Sequence, residues 1–235
     1  MKILVSIYAW TAGMVILGFV LIACILLSYF IPPRKLDPFL KAGCRFLLRA
    51  LFIKVRVEGV DSVDGGRTHL FMANHASLFD VPVLAGHIPA FVRAVEADSH
   101  FKWPVYGWAI RRLGNIPIKR TDVHASVRSI RKAEDWIKDG KSLVILPEGS
   151  RTMDGKLRPF KKLPFFLAKQ SGVDIIPIGL SGLFRLKSKR SWIIRPTTVT
   201  VRFGLSISRE TIQSLSEEDL REKVRGEIER LVAMA

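Results

Sequence analysis

The sequence predicts an α/β fold, in which a mixed, largely parallel sheet is flanked by helices and preceded by an N-terminal hydrophobic helix. Three observations support this class. Short runs of strand composition alternate with longer helical runs over most of the chain, as is typical of layered α/β proteins. Polar residues directly follow several of these strands, where such folds place their sites. The beginning of the chain, in contrast, is almost wholly apolar.

The first segment, residues 1–33, is predicted to be a membrane anchor. No charged residue lies between Ile3 and Ile31, and as a helix this run would extend about 43 Å, more than the roughly 30 Å hydrocarbon core of a bilayer. It can therefore span with tilt or bend back within the bilayer. A cleaved signal peptide is the alternative, because Lys2 precedes the run and Leu21–Cys24 resembles a lipoprotein cleavage site. The apolar run continues beyond that cysteine, which favours the anchor.

Residues 34–53 are predicted to form a basic interfacial helix. Arginine and lysine alternate here with leucine and phenylalanine, and Asp37–Ile53 has the pattern of an amphipathic helix on a membrane surface. An ordinary helix docked on the domain is the alternative. Positive charge after an anchor places the next domain, residues 54–235, on the cytoplasmic side of the inner membrane. Anionic headgroups also explain the net charge of +16 more simply than nucleic acid does.

The domain of residues 54–235 carries the alternating elements. Strands are predicted where apolar or alternating runs meet turn residues, and helices where apolar residues recur at helical spacing. Pro117 favours an edge position for its strand, because proline cannot donate to a ladder. The predicted strands are Ile53–Glu58 (also at an edge), His69–Ala73, Ala90–Val95, Ile116–Ile118, Leu143–Leu146, Ile175–Ile178 and Thr198–Phe203. The predicted helices are Ser77–Gly86, Trp103–Leu113, Val123–Lys138, Phe165–Gln170 and Ser216–Ala233, the last with a capping pattern.

His75 and Asp80 lie where a predicted strand gives way to a helix. A continuous helix would place residues five apart about 140° from each other. Pairing therefore requires a bend or a non-helical start between them, for which Asn74 and Ser77 are suitable. If the two are paired, the carboxylate would fix the imidazole tautomer and stabilise the imidazolium after proton uptake. A buried structural histidine near a carboxylate is the alternative.

Three further stretches carry residues suited to substrate binding. Leu146–Thr152 follows a buried strand; Gly149 lets the backbone approach a ligand closely, and Arg151 can hold a phosphate with two hydrogen bonds. Taken alone, this arginine could equally be a surface charge. Gly114–Arg120 carries two cations at a strand end, and Ile175–Leu180 is apolar and contains a proline.

In this order and at these intervals, the four stretches resemble the glycerolipid acyltransferase family, and within it the bacterial 1-acyl-glycerol-3-phosphate (lysophosphatidate) acyltransferases. The blocks of that family are NHxxxxD, a glycine block ending in arginine, PEG[ST]R and a proline-containing apolar block. They lie here between Asn74 and Leu180, about half of the chain. The anchor and the basic helix are similar to those of its membrane-bound members.

The resemblance implies a role for each of these residues. His75 would be the general base that takes a proton from the acceptor hydroxyl as its oxygen attacks an acyl thioester, and Asp80 would orient it. Because a thioester has a good leaving group, no acyl-enzyme would be required. Backbone N–H groups near the histidine would hold the oxyanion. The implied substrate-binding residues are Lys119, Arg120, Glu148, Gly149, Ser150 and Arg151, and the implied acyl-side residues are Ile176 and Pro177.

The implied reaction moves a fatty acyl group from acyl-CoA or acyl carrier protein to lysophosphatidate, with membrane lipids as partners and no further cofactor. Glycerol-3-phosphate, another lysophospholipid and a lyso-ornithine lipid are alternative acceptors. Lys119 stands where the family often has aspartate, and Lys161–Pro164 where many members have Lys-Lys-Gly, so the acceptor stays open. The rival class is a non-catalytic, membrane-tethered binder of anionic lipid or nucleic acid. An intact His75 and Asp80 argue against it, and no nucleic acid partner is expected.

Other chemistries lack their motifs. There is no HExxH and no paired cysteine or histidine spacing, so a metal site is not expected, and neither GxSxG nor a P-loop occurs. The two cysteines form no disulfide pattern, which favours a reducing compartment. A basic cluster is interpreted as a solvated or headgroup-facing surface, with recruitment of acyl carrier protein as the alternative. Its members are Arg185, Lys187, Lys189, Arg190 and Arg195.

Overall fold

A computed structural model describes residues 1–119 and 123–234, with residues 123–127 described by their backbone alone. Within these residues, seven strands form one sheet in the order β1-β7-β6-β2-β5-β3-β4. The strands are β1 Lys54–Glu58, β2 His69–Ala73, β3 Val92–Ala97, β4 Ile116–Ile118, β5 Ser142–Ile145, β6 Asp174–Ser181 and β7 Thr198–Phe203. The predicted α/β class is confirmed, and so are the edge positions of β1 and β4.

The sheet is mixed, and its parallel part defines one functional edge. Strands β6, β2, β5, β3 and β4 are parallel to their neighbours in that group. Strand β7 is antiparallel to β6, and β1 pairs in parallel with β7. Every residue of β2 and β5 is buried, as expected of strands covered on both faces. The carboxyl ends of five strands therefore lie along the same edge.

Helices cover both faces of the sheet. One face packs against α1 Lys2–Leu27, α2 Pro33–Ala50, α3 Asp80–His87 and α7 Leu183–Leu186. The other packs against α5 Val123–Lys138, α6 Leu163–Ser171, α8 Arg209–Ser214 and α9 Glu217–Ala233. Helix α4, Tyr106–Leu113, contacts α1. At the start of α9 the Ser216 hydroxyl accepts from the Asp219 N–H, which confirms the predicted cap.

Three helices begin or end at residues other than the predicted ones, for local reasons. Helix α3 begins at Asp80 rather than Ser77, because the Asp80 carboxylate binds the preceding N–H groups and holds them outside the helix. Helix α2 begins earlier and ends earlier, since Pro33 lies in its first turn and Phe52 has a positive φ of 57°. Helix α4 begins at Tyr106, after Val105 with a φ of 58°. A helix cannot continue through a residue in that conformation.

Helix α1 lies along the domain instead of projecting from it. Its buried residues occur near both ends, and the helix packs on α2 and α4. Among the described helices, it is the one long and apolar enough to cross a membrane. Its opposite face is apolar and exposed, with Met14, Val15 and Phe19 each more than 70% accessible. An apolar face of this kind indicates contact with lipid.

Candidate active site

The loop from β2 to α3 is fixed first by Asn74. Its side-chain N–H donates to the Leu180 carbonyl at 3.0 Å, and its oxygen accepts from the Leu180 N–H at 2.7 Å. These bonds act as one more step of the β2–β6 ladder, since Leu180 belongs to β6. The first and fourth of the predicted blocks are thereby joined directly, and the residue after Asn74 begins its turn from a fixed point.

His75 and Asp80 form the predicted pair. The distance from Nδ1 of the imidazole to Oδ2 of the carboxylate is 2.6 Å, and the aspartate side chain is fully buried while 18% of the histidine side chain is exposed. The same carboxylate accepts from the N–H groups of Ala76 at 2.8 Å and Ser77 at 3.0 Å. With Nδ1 donating to Asp80, Nε2 is the nitrogen that carries a lone pair. The expected non-helical start between the two residues is confirmed.

Glu148 fixes the backbone of His75. The His75 N–H donates to Oε1 at 2.6 Å, and the Arg158 N–H donates to Oε2 at 2.9 Å. The glutamate is 2% exposed, and burial raises the pKa of its carboxyl, an effect that the two backbone N–H groups oppose. On the other side, the Thr152 N–H donates to the His75 carbonyl at 2.8 Å. The third block therefore binds both backbone groups of the histidine.

The residues between Glu148 and Thr152 form a turn beside this pair. Gly149 has a φ of +71°, a conformation that favours glycine, and its N–H donates to the Leu146 carbonyl at 3.0 Å. The Ser150 hydroxyl accepts from the Arg158 guanidinium. Arg151 is partly exposed, and within the described part of the chain its guanidinium has no carboxylate partner. Its charge is therefore available to a bound anion.

The remaining predicted site residues lie at three places. Lys119 follows β4 and borders an open cavity of about 310 Å³ together with Arg128 and Lys132. Arg120 lies outside the described residues. Ile176 is 1% exposed within the apolar core between the sheet and α1–α3. Pro177 is buried beside it in β6, with its carbonyl bonded to the Gly204 N–H. The acyl-side role of these two stays a prediction.

Three features of the site were not predicted. The N–H groups of His75, Ala76 and Ser77 are bonded to Glu148 and Asp80, so these three do not provide oxyanion donors, although donors near the histidine were expected. The carboxylate of Glu148 holds the loop from beneath. Lys187 is 6% exposed, so the surface interpretation is wrong for this residue, whereas it holds for the exposed Lys189. In the sequence, the basic composition of its segment was the one feature that drew attention to Lys187.

Comparisons with known proteins match this chain to acyltransferases. A model of the acyltransferase family matches residues 54–181. Two chloroplastic 1-acyl-sn-glycerol-3-phosphate acyltransferases, from Brassica napus and Arabidopsis thaliana, are each 33% identical over 56% of this chain. The chain spans only 38% and 37% of their lengths.

Two further matches cover more of the chain. A lyso-ornithine lipid O-acyltransferase of Pseudomonas aeruginosa is 30% identical over 72% of this chain and 65% of its own length. The crystal structure of the 1-acyl-sn-glycerophosphate (LPA) acyltransferase of Thermotoga maritima matches with a TM-score of 0.83 and 27% identity. That match covers 99% of this chain and 95% of the other, so it includes α1 and α2.

Proposed function

Because this chain belongs to the acyltransferase family, we propose that it moves a fatty acyl group from a thioester donor to the free hydroxyl of lysophosphatidate, forming phosphatidate. The observation that carries the proposal is the 2.6 Å contact between His75 and Asp80. It lies at the carboxyl end of a parallel strand, close to Arg151, which has no carboxylate partner among the residues that the structure describes. A histidine held in this way is a general base, and a purely structural histidine would not need an accessible second nitrogen.

In the proposed mechanism, Nε2 of His75 accepts the proton of the acceptor hydroxyl while that oxygen attacks the thioester carbonyl carbon. The tetrahedral intermediate then breaks its C–S bond, and the leaving thiolate takes the proton from the imidazolium. The products are an ester and a free thiol, with the histidine restored. Asp80 holds the tautomer and stabilises the imidazolium, a role for which a fully buried carboxylate is well suited.

The acceptor is proposed to bind beside the third block. Arg151 offers a planar pair of donors that match a phosphate, and it is one residue from Thr152, whose N–H binds His75. Gly149, Ser150, Lys119 and Arg120 are proposed to complete this side, and Glu148 to position the histidine from below. The core residues around Ile176 are proposed to support the acyl side.

A lyso-ornithine lipid is the second candidate acceptor. The Pseudomonas aeruginosa relative supports it, because it covers a larger share of this chain than the two plant relatives do. The two acceptors differ in the group that the site must hold, since lysophosphatidate carries a phosphomonoester. Arg151 suits that group, and for this reason we favour lysophosphatidate.

The site is proposed to work at the cytoplasmic face of a membrane. The exposed apolar face of α1 supports membrane contact, and the basic residues of α2 suit anionic headgroups and the cytoplasmic leaflet. A lysolipid acceptor and a fatty acyl chain would both reach the site from such a surface. The donor is proposed to be acyl-CoA or acyl carrier protein.

One assay tests the proposal. The purified protein is incubated with a panel of lysolipids and with each thioester donor, and the products are identified by mass spectrometry. We expect phosphatidate from lysophosphatidate, and a loss of about 10²–10⁴-fold in kcat on His75→Ala, the size that general-base catalysis contributes. Circular dichroism should show an unchanged fold for the variant. Full activity of His75→Ala would remove the base assignment, and exclusive use of lyso-ornithine lipid would replace the acceptor.

A further inference from the structure

Lys187 lies against the catalytic loop, residues 74–79 between β2 and α3, although it is distant in sequence. It follows α7 directly, and its carbonyl accepts a 2.8 Å hydrogen bond from the Ser77 hydroxyl. Ser77 is the residue whose N–H binds the Asp80 carboxylate. The ammonium lies 5.8 Å from the centre of the Trp10 ring on α1. Lys187 thus stands between the catalytic loop and the proposed membrane helix.

The charge of Lys187 has no counterion in the described part of the chain. No carboxylate there forms an ion pair with it, and no acceptor there is hydrogen bonded to it. The neighbouring charge is another cation, Arg151; burial first, and then that positive charge, lower the pKa of Lys187. A buried charge without a partner is unfavourable. Arg151 is only partly exposed, and an anion bound by both cations would relieve their mutual repulsion, so this place suits an anionic ligand.

The buried arginines among the described residues are paired. Arg93, 3% exposed, donates to the Asp37 carboxylate at 2.7 Å and to backbone carbonyls. Arg202, 8% exposed, donates to Glu58 at 2.6 Å. Each of these two buried arginines thus has a carboxylate as its partner. Lys187 departs from this rule at the one place where an anionic acceptor is proposed to bind.

We propose that Lys187 and Arg151 together hold the phosphomonoester of the acceptor, with Trp10 of α1 covering the ammonium. The inference rests on the proposed function and deepens it by naming a residue that selects the substrate. Both cations are tied to the catalytic loop, Lys187 through Ser77 and Arg151 through the adjoining Thr152. A phosphomonoester carries a charge of about −1.5 to −2, which balances the two. An acceptor without this group would leave both cations unpaired, and sites of this kind discriminate strongly against such analogues.

The test measures binding of lysophosphatidate in detergent micelles by titration calorimetry, without any thioester donor. Lys187→Met keeps the apolar stem and removes the charge, and Lys187→Arg restores the charge. Lys223→Met is the matched control, because Lys223 is exposed on α9, which packs on the other face of the sheet. A neutral acceptor, monoacylglycerol, is titrated in parallel.

We expect Lys187→Met to raise the Kd for lysophosphatidate about tenfold or more, the size typical of a lost charge-assisted hydrogen bond. Lys187→Arg should return it to within about threefold, and Lys223→Met should leave it unchanged. Binding of monoacylglycerol should be the same in all four proteins. In the acylation assay, Lys187→Met should raise KM with kcat within about twofold.

Three results would overturn the inference. The first is an unchanged Kd for lysophosphatidate in Lys187→Met. The second is an equal loss of affinity for lysophosphatidate and monoacylglycerol, which would indicate that Lys187 serves to dock α1. The third is a failure of the wild type to bind lysophosphatidate. A different result would contradict the proposed function alone. If the wild type binds lysophosphatidate tightly through Lys187 but forms no phosphatidate, the proposed reaction is wrong and the proposed binding site is supported.

Discussion

At the scale of single residues, His75 is held at three of its polar atoms. Its N–H, its carbonyl and its Nδ1 are bonded to Glu148, Thr152 and Asp80. The remaining atom, Nε2, is the one that the proposed reaction uses. Positioning of this kind reduces the entropy that a reaction must otherwise lose at its transition state. The contacts come from two loops that the parallel strands β2 and β5 deliver to the same edge.

Glu148 leads to a prediction about pH. Because burial raises its pKa, its carboxyl binds a proton more tightly in the folded than in the unfolded protein. The resulting stabilisation is present below the pKa of the unfolded chain and is lost as pH rises through the higher folded pKa. Glu148→Gln removes this contribution. The free energy of unfolding of the wild type minus that of the variant should therefore fall as pH rises from about 4, as measured by denaturant titration at several pH values.

The same substitution should also slow the reaction. The glutamine oxygen can accept from only one of the two backbone N–H groups, and its NH₂ then faces the other. The resulting shift of His75 should lower kcat by about ten- to a hundredfold with little change in KM. An unfolding difference that stays constant with pH, together with normal turnover, would show that the carboxylate does not support the loop.

Some residue-level features could be predicted from the sequence and others could not. The His75–Asp80 pair is local, so its spacing and the turn residues between them predicted both the contact and the bend. Glu148 binds a backbone group 73 residues earlier in the chain. No side-chain pattern reveals a partner of that kind, because every residue except proline has the same N–H. Lys187 is bonded to Ser77 across 110 residues, and its ammonium lies near Trp10 of a helix at the start of the chain.

At the scale of elements, β2, β4 and β7 have the predicted bounds. In β2 and β7, residues that favour strands are followed directly by Asn74 and Gly204, so local composition and structure agree. Helices α7 and α8 were not predicted, because four and six residues are too short to show a helical period. The start of α3 depends on a side-chain bond that composition does not display.

Close packing of α1 on α2 depends on Gly43. A Cβ at this position would lie 2.7 Å from Cγ1 of Val20, whereas a Cβ at Gly18 of α1 would meet nothing within 4 Å. Small residues allow helices to approach in this way. Gly43→Leu should therefore weaken the α1–α2 contact by about 1–3 kcal/mol, as overpacking does, and Gly18→Leu should not.

The two native cysteines report this contact directly. Cys24 on α1 is 0% exposed and Cys44 on α2 is 5% exposed, and burial raises the pKa of the Cys44 thiol to about 12. Both thiols should react slowly with a maleimide in the wild type and in Gly18→Leu. In Gly43→Leu the rate should rise about tenfold or more. Equal rates in the two leucine variants would mean that the helices are not held together at this glycine.

At the scale of the whole molecule, both ends of α1 are attached to the α/β domain. Near its start, the Ser6 hydroxyl accepts from the Ile194 N–H at 3.0 Å, and Trp10 donates to the Trp192 carbonyl at 2.8 Å. Beyond its end, the guanidinium of Arg112 lies 3.8 Å from the centre of the Tyr29 ring. A helix of 26 residues is about 39 Å long. If it crossed the bilayer, one end would be separated from the domain by the hydrocarbon core.

These attachments predict that α1 lies in one leaflet, with both ends on the side of the domain. Cys24 and Cys44 are first replaced by alanine. Single cysteines are then introduced at Lys2, Phe19, Tyr29 and Lys223. Sealed vesicles of each orientation are treated with a membrane-impermeant maleimide. Lys2→Cys and Tyr29→Cys should be labelled in the same vesicles as Lys223→Cys on the domain. Phe19→Cys should be protected in both orientations, since Phe19 is 72% exposed on the apolar face and would be immersed in lipid. Labelling of positions 2 and 29 from opposite sides would instead mean that α1 spans the bilayer. In that case either the contacts of Ser6 and Trp10 or the contact of Arg112 with Tyr29 would have to break.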